Sequence, residues 1–344
     1  MISAWSRFWF KPSSPIDLGV SRVLFFAGVF AMYAAEDFRL WGTVSDAFWL
    51  PLPLFTVLHL RVLSPDALGV LQVVWRVALV SSAVGLFTRT SMAIAAVLGT
   101  YLLGLPHNFG QTYHFDALLV IAFGVLACSR AGDACSIDAW RSGRRQPQPS
   151  GEYTWPIRTV WVAMSLVFFA AGLAKLRYGG LAWITSGNMS ILLTRALYHV
   201  SDADPLTRVG LWIAGHHWLA SALAASAVIT EVAFPAALVS RRARVILVPA
   251  AIAMLIAIRV MMGPTFGGFL VANVFWVPWQ AIVTRVEIWI VGRRPATDVA
   301  PVDDCAAPLN VSVDLGAGSA HAATTASSLT FAPPSQPPGG DRSR

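Results

Sequence analysis

The feature that most constrains this chain is a series of long apolar runs separated by short polar loops. A run of about 20 apolar residues can cross a bilayer as a helix, and only helices and closed barrels satisfy the backbone inside a bilayer. We predict helices near residues 18–36, 67–87, 91–106, 114–129, 157–177, 218–239, 244–262 and 268–291. The expected fold class is therefore all-α, a polytopic membrane bundle of about eight transmembrane helices.

The composition favours the same class. Hydrophobic residues make up 56% of the chain and charged residues 12%, whereas soluble domains carry about 25% charged residues. The net charge of +7 comes from arginines scattered between apolar runs, a pattern that indicates topology control rather than binding to nucleic acid. The three cysteines form no CxxC motif, so neither a disulfide framework nor a metal site is expected.

Basic residues also predict the orientation, because cytoplasmic loops carry an excess of lysine and arginine. Counting alternate loops from the N-terminus gives an inner set of Arg7, Lys11, Arg89, Arg130, Arg141, Arg144, Arg145, Arg241, Arg242, Arg244, Arg293 and Arg294. The outer set is smaller, with Arg39, Arg61, Arg195 and Arg208. We expect a multi-pass protein of the cytoplasmic membrane with both termini in the cytoplasm.

This orientation divides the chain into three parts. Residues 1–17 would be a cytoplasmic N-terminal segment, and residues 18–294 the transmembrane domain. Residues 295–344 are rich in Ala, Pro, Ser, Thr and Gly, which predicts a disordered cytoplasmic tail. The apolar segment 48–60 is short and broken by two prolines, so we expect an interfacial or re-entrant segment there.

Lys175 stands out because the chain has 25 basic residues and only Lys11 and Lys175 are lysines. It lies at the predicted outer end of the fifth span, where a long cation can snorkel to the interface. Burial can instead make a lysine amine neutral and reactive, which an arginine cannot become. Both interpretations remain open. Gly172 precedes Lys175 on the same helix face, leaving room for a neighbouring helix or a flat ligand.

Two histidines flank the outer loop before the fourth span. His107 is read as a structural polar residue, whereas His114 opens the span at the predicted depth of Lys175. A histidine at that depth can orient a neighbouring group or exchange a proton with it. A single interfacial histidine is otherwise an ordinary hydrogen-bonded polar group.

Two further charges fall inside predicted spans. Glu231 lies deep in the sixth span, and we expect it to pair with a buried cation such as Arg22 or Arg76. Pro235, one turn later, should kink that helix. Arg259, near the outer end of the seventh span, either snorkels or completes a polar pocket with the lysine and histidine.

Three segments together resemble one family. YHFDALLVIAFGVLACSRAGDACSIDAW (113–140) is similar to its pattern of Tyr-His at a span start, followed by Gly-Asp and Ser-x-Asp. FFAAGLAKLRYGGLAW (168–183) resembles its Ala-Gly-x-x-Lys-Leu segment followed by Trp, and PIDLGVSRVLFF (15–26) resembles its first-span entry. This family is the HTTM domain, the membrane portion of vitamin K-dependent gamma-carboxylase and its bacterial relatives.

The resemblance implies roles for two residues and a cofactor. It would make Lys175 the base that deprotonates reduced vitamin K, or a similar menaquinol, and would link His114 to later carbanion chemistry. The site would face the extracytoplasmic side. The large lumenal domain of the carboxylase has no counterpart after the last span, so carboxylation of peptide glutamate is not expected. Arg259 stands where many relatives have a histidine, and one lysine rather than two precedes Leu176.

We therefore expect a quinol-dependent redox or oxygenase-type enzyme in which Lys175 is the base and His114 relays protons. Arg259 or Trp183 would help to hold the ligand. The alternative is a non-enzymatic membrane factor for maturation, export or immunity of a secreted peptide, acting through the outer loop 178–217. A transporter is disfavoured because the sequence shows no internal repeat.

Overall fold

A computed structural model describes residues 2–110, 116–143, 147–196, 205–263 and 266–291. These residues all belong to one compact unit, Met1–Arg293. The predicted tail, residues 295–344, lies outside the described residues.

The described part of the chain is helical and contains no β-strand, only one isolated antiparallel bridge between Ser13 and Ser150. The α-helices are α1 Ile2–Phe10, α2 Pro15–Tyr33, α3 Pro53–Val57, α4 Pro65–Val84, α5 Thr88–Gly104, α6 Ala117–Ala127, α7 Ile137–Ser142, α8 Thr154–Gly179, α9 Ala182–Thr185, α10 Asn188–Ala196, α11 Pro205–Ala214, α12 His217–Ala233, α13 Ala236–Val239, α14 Arg241–Met262, α15 Gly267–Ala272 and α16 Trp279–Val291. Short 3₁₀ turns lie at Phe38–Thr43, Asp46–Phe48, Leu105–Asn108, Ala131–Asp133, Gly151–Tyr153 and Asn273–Trp276.

Each apolar run corresponds to a helix or a bent pair of helices, which confirms the all-α membrane-bundle class. Five segments of the described chain are long and apolar enough to cross a membrane: Pro15–Tyr33, Pro65–Val84, Thr88–Asn108, Gly151–Gly179 and Arg241–Met262. Two bent pairs raise this number to as many as seven. The remaining run forms α6, an apolar helix shorter than a full crossing.

Local sequence signals account for several helix ends. Ser-Pro begins both α2 and α4, where Ser14 and Ser64 accept hydrogen bonds from the first helical turn and proline occupies the first position. Helix α4 is followed by Gly85, which caps it with a φ of 74° that suits glycine. Prolines also limit the segment 48–60, which forms only the five-residue helix α3. This segment is therefore not a full span, as predicted.

Breaks make the sixth and eighth spans less regular than the sequence suggested. Helix α12 ends at Ala233, and α13 begins at Ala236, so the helix is interrupted at the proline where a kink was predicted. Before it, Arg208–Ala214 and His217–Ala233 meet at 105°, so the chain turns sharply at the start of α12. Gly267–Trp276 and Trp279–Trp289 are bent by 68° around Pro278.

The helices pack around two apolar clusters. The larger one joins α2, α4, α5, α6, α8, α14 and α15, with aromatic rings such as Phe25, Trp75 and Phe123 at its centre. The smaller cluster lies among α10 and α12, with Met189, Leu193, Ala220 and Ala224 buried together. The candidate site lies where α8 meets the helices of this second cluster.

The segment after α6 that contains Gly-Asp and Ser-x-Asp, residues 132–138, has a structural role. It lies near the N-terminal end of α8, away from the candidate site. The side chain of Arg22, fully buried, donates to the carbonyl oxygens of Ala131 at 3.0 Å and Cys135 at 2.5 Å. Asp138 accepts hydrogen bonds from the backbone N–H groups of Phe87 and Thr88, at the start of α5. This segment therefore ties α2, α5 and α7 together.

Candidate functional site

The candidate site is an ion pair between two helices that lie far apart in sequence. Lys175 on α8 donates from Nζ to both carboxylate oxygens of Glu231 on α12, each at 2.6 Å. The side chain of Glu231 is 8% exposed and that of Lys175 is 25% exposed. Lys175 thus directs its charge to a partner inside the bundle rather than only to the interface.

This pairing corrects the prediction for Glu231. We expected Arg22 or Arg76 as its partner, but both arginines are bonded to backbone carbonyls elsewhere. Arg22 holds the segment after α6, and Arg76 donates to the carbonyl oxygens of Tyr33 and Glu36. The reason is geometric, because the ends of α2 and α4 and the segment after α6 place backbone carbonyls within hydrogen-bonding distance of these guanidinium groups.

Gly172 sets the spacing between α8 and α12. A Cβ atom at this position would lie 2.8 Å from Val232 Cγ2 and 2.9 Å from Glu231 Cβ, too close for any side chain. One turn earlier, the rings of Phe168 and Phe234 pack with centroids 4.5 Å apart. Gly172 therefore lies directly against α12, and the close approach brings the two charges together.

The ion pair forms part of the wall of a cavity of about 650 Å³. Its other polar lining residues are Trp183, Ser226 and Thr230, and the rest of the lining is Ala, Val, Leu, Ile, Met and Phe. Helices α8, α10, α12 and α14 supply most of these walls, with Phe266 and Phe269 at one side. The site is thus an apolar cavity with one charged wall.

Trp183, which packs against the smaller apolar cluster, lies over the ammonium group of Lys175. The Lys175 ammonium lies 5.5 Å from the centroid of the Trp183 ring, within the range of a cation–π contact. Trp183 also lines the cavity. The sequence had singled out this tryptophan as a ligand-binding residue, and it lies beside both the amine and the cavity.

The pair is electrically neutral as a unit when the amine is protonated and the carboxylate ionised. A single charge in this apolar wall would be costly, whereas two opposite charges at hydrogen-bonding distance offset much of the loss of water. The arrangement can therefore hold a proton, exchange one, or present an ammonium to an anion.

The other predicted site residues lie apart from this wall. Arg259 is exposed on α14, where its neighbours Ile258 and Met261 line the cavity instead. The His107 Nε2 atom lies 3.4 Å from Asp116 Oδ2, and the hydroxyl of Tyr33 donates to the same carboxylate. His114 lies outside the described residues.

Sequence reasoning treated Lys175 and Glu231 separately and missed that they form one site. The available signal was charge: each is an isolated ionisable residue near the middle or end of an apolar run, and their signs are opposite. The spacing of residues on α12 was a second signal. Ser226 and Thr230 are four residues apart, as are Ala227 and Glu231, so these small or polar residues share one face of the helix.

Comparison with protein families identifies the domain. The model described as HTTM domain matches residues 10–279. The chain belongs to the HTTM family. This domain is associated with the membrane part of vitamin K-dependent carboxylase-like proteins. No curated protein and no solved structure matches the chain. The HTTM match includes both charges of the ion pair and every helix that lines the cavity.

Proposed function

We propose that this HTTM protein binds an amphiphilic, quinol-like lipid in the cavity and removes a proton from its hydroxyl group. The observation that carries the proposal is the Lys175–Glu231 ion pair, at 2.6 Å, on the wall of an otherwise largely apolar cavity. The reaction would be of the quinol-dependent redox or oxygenase type, with reduced vitamin K or a menaquinol as the ligand.

The cavity has properties that fit such a ligand. Its volume of about 650 Å³ falls within the roughly 300–1,000 Å³ of small-molecule sites, which are mostly apolar with a few polar groups. An aromatic ring and an isoprenoid tail would contact Met254, Leu255 and Phe269, while the hydroxyl would meet the ion pair. Trp183 would cover the head group. When bound, a quinol would supply the reducing equivalents.

Glu231 takes a larger part in this chemistry than the sequence suggested. A Glu231 carboxylate oxygen would accept the proton of a bound hydroxyl, and the Lys175 ammonium, released from that carboxylate, would face the oxygen that gave it up. The net charge of the cavity would stay unchanged, and the oxyanion would replace the carboxylate as the partner of the ammonium. Lys175 acts as the electrostatic partner of the anion, and the pair as a whole serves as the base.

The first experiment tests binding. Lipids extracted from the protein purified in detergent should contain a quinone, and Lys175→Ala should reduce its amount at least severalfold. Arg177→Ala is the matched control, because Arg177 is a cation two residues along the same helix but exposed. Equal quinone in Lys175→Ala and in the unchanged protein would contradict the proposal.

The second experiment tests proton transfer. A 2-hydroxy-1,4-naphthoquinone bearing an apolar tail reports its own ionisation by absorbance, so its apparent pKa can be measured when it is bound. We expect this pKa to fall on binding to the unchanged protein. Lys175→Met should weaken the effect, since it removes the ammonium that faces the anion. Glu231→Gln should retain or deepen it, since no carboxylate then competes for that ammonium. An unchanged pKa on binding would exclude the pair as a base.

A second candidate function is the non-enzymatic factor for a secreted peptide. It is favoured by exposed apolar side chains between the end of α8 and the start of α12, among them Leu181, Ile191, Trp212 and Trp218. In this case Leu181→Ser and Trp212→Ser would impair the process that the protein serves, whereas Lys175→Arg would leave it intact. The opposite result would favour the enzyme.

A further inference from the structure

Two arginines share one tryptophan at the opposite end of α8 from Lys175. The guanidinium carbon of Arg158 on α8 and that of Arg244 on α14 each lie 4.1 Å from the centroid of the Trp161 ring. Trp276 stacks on Trp161 with centroids 4.3 Å apart and ring planes nearly parallel. The two cations are therefore held close together by a rigid aromatic pair.

No carboxylate neutralises these two charges in the part of the chain that the structure describes. None of the ion pairs found there includes Arg158 or Arg244. Arg244 donates to the carbonyl oxygens of Ala237 and Leu238, at 3.0 and 3.4 Å, which orients it without cancelling its charge. Both side chains are half-buried. Two like charges that are partly removed from water attract an anion.

Exposed apolar side chains lie close to the two arginines. Helix α1 packs against α8 here, with the ring of Phe8 5.0 Å from the guanidinium carbon of Arg158. On α1, Trp5 and Phe10 are 67% and 54% exposed, as expected for a helix that lies in the interface. Directly after Arg244, Val245 and Ile246 are each 67% exposed on α14. The cations thus adjoin surfaces suited to acyl chains.

We propose that Arg158 and Arg244 bind the phosphate of an anionic phospholipid. Guanidinium groups match phosphate oxygens with paired donors, and basic pockets between membrane helices bind anionic head groups. Free phosphate has the same charge chemistry, but the exposed apolar residues beside the pair indicate a ligand with acyl chains. This site is separate from the cavity of Lys175 and does not depend on the proposed reaction.

The test measures lipid binding to the whole protein in detergent. Phosphatidylglycerol should raise the thermal unfolding midpoint and remain bound in native mass spectra, and phosphatidylcholine should do so much less. The double variant Arg158→Gln/Arg244→Gln should weaken phosphatidylglycerol binding roughly thirtyfold. Arg241→Gln/Arg242→Gln is the matched control, since it removes two exposed charges from the first turn of α14 and should change binding far less.

Three results would overturn the assignment: equal phosphatidylglycerol binding by the two double variants, equal stabilisation by phosphatidylcholine, and equal stabilisation by inorganic phosphate alone. Monodisperse elution establishes that each variant is folded. If Arg158→Gln/Arg244→Gln fails to fold, Arg158→Gln alone replaces it. Arg158→Lys/Arg244→Lys, which keeps both charges, should retain more phosphatidylglycerol than Arg158→Gln/Arg244→Gln.

Discussion

Lys175 and Glu231 stabilise the bundle only while both are present. Removing one partner of a buried ion pair leaves an uncompensated charge and costs about 3–5 kcal/mol, whereas replacing both by apolar groups is often nearly neutral. We expect Lys175→Met and Glu231→Leu each to lower the thermal unfolding midpoint in detergent. The double variant should recover most of the loss.

The control for this double-mutant cycle is Arg177→Met, which removes an exposed cation and should leave the midpoint almost unchanged. Additive losses in the double variant would show that Lys175 and Glu231 contribute independently. That result would contradict the short contacts between Nζ and both carboxylate oxygens.

Gly172 allows a second prediction at this scale. Gly172→Val would place atoms where Val232 and Glu231 already lie, so α12 must move and the unfolding free energy should fall by about 1–3 kcal/mol. The shift should also increase the distance between Lys175 Nζ and the Glu231 carboxylate and weaken ligand binding. Gly124→Ala is the control, because a Cβ there meets no atom within 4 Å and alanine favours a helix. Equal stability of Gly172→Val and the unchanged protein would contradict the packing.

At the scale of elements, α5 depends on a residue from another helix. Its first N–H groups have no side-chain cap of their own, and Asp138 of α7 accepts from Phe87 N, Thr88 N and the Thr88 hydroxyl. Carboxylates at such positions stabilise helix ends by about 1–2 kcal/mol. Asp138→Ala should therefore destabilise the bundle by a similar amount, measured by thermal unfolding at neutral pH.

The same contact predicts a pH dependence. Partial burial raises the pKa of Asp138, but hydrogen bonds from Thr88 and Phe87 and the nearby Arg141 outweigh it, so the pKa lies below its ordinary value. Because the folded-state pKa is the lower one, the stabilisation is complete well above about pH 4 and is lost as the pH falls through that pKa. The stability difference between Asp138→Ala and the unchanged protein should shrink in acid. A constant difference down to pH 3 would contradict this assignment.

The sequence was most informative for the long helices and least for the connections between them. Apolar runs, Ser-Pro at helix starts and Gly at helix ends are local signals. They allowed the positions of five long helices to be predicted closely: α2, α4, α5, α8 and α14. The sequence did not locate the turn at Gly215 or the short helices α9 and α10. Polar and apolar residues alternate there, and each segment is shorter than a membrane-spanning helix. The cap from Asp138 depends on contacts across 50 residues, for which no local pattern exists.

The candidate site shows the same limit. Lys175, Glu231, Gly172 and Trp183 could each be identified because ionisable residues, glycine and tryptophan are conspicuous within apolar helices. Their assembly into one wall depends on how α8 and α12 are aligned. That alignment is fixed by the contacts of Gly172 and of Phe168 with Phe234, which no single segment specifies.

For the whole molecule, the orientation in the membrane remains a prediction from the arginine distribution. Single cysteines at Leu181 and Arg241, both exposed, can be introduced after the native cysteines are replaced by serine. A membrane-impermeant maleimide should label Leu181→Cys in intact cells and Arg241→Cys only after permeabilisation. Labelling of both in intact cells, or the reverse order, would contradict the predicted topology.

Under the proposed proton transfer, the position of Lys175 along α8 sets which side of the membrane exchanges protons with the cavity. Lys175 lies four positions before Gly179, where α8 ends, a rise of about 6 Å along the helix axis. A proton leaving the ion pair towards that end crosses a small part of the bilayer and feels little of the transmembrane voltage. The protonation of the cavity should therefore follow the pH of the solution on that side and be almost independent of membrane potential.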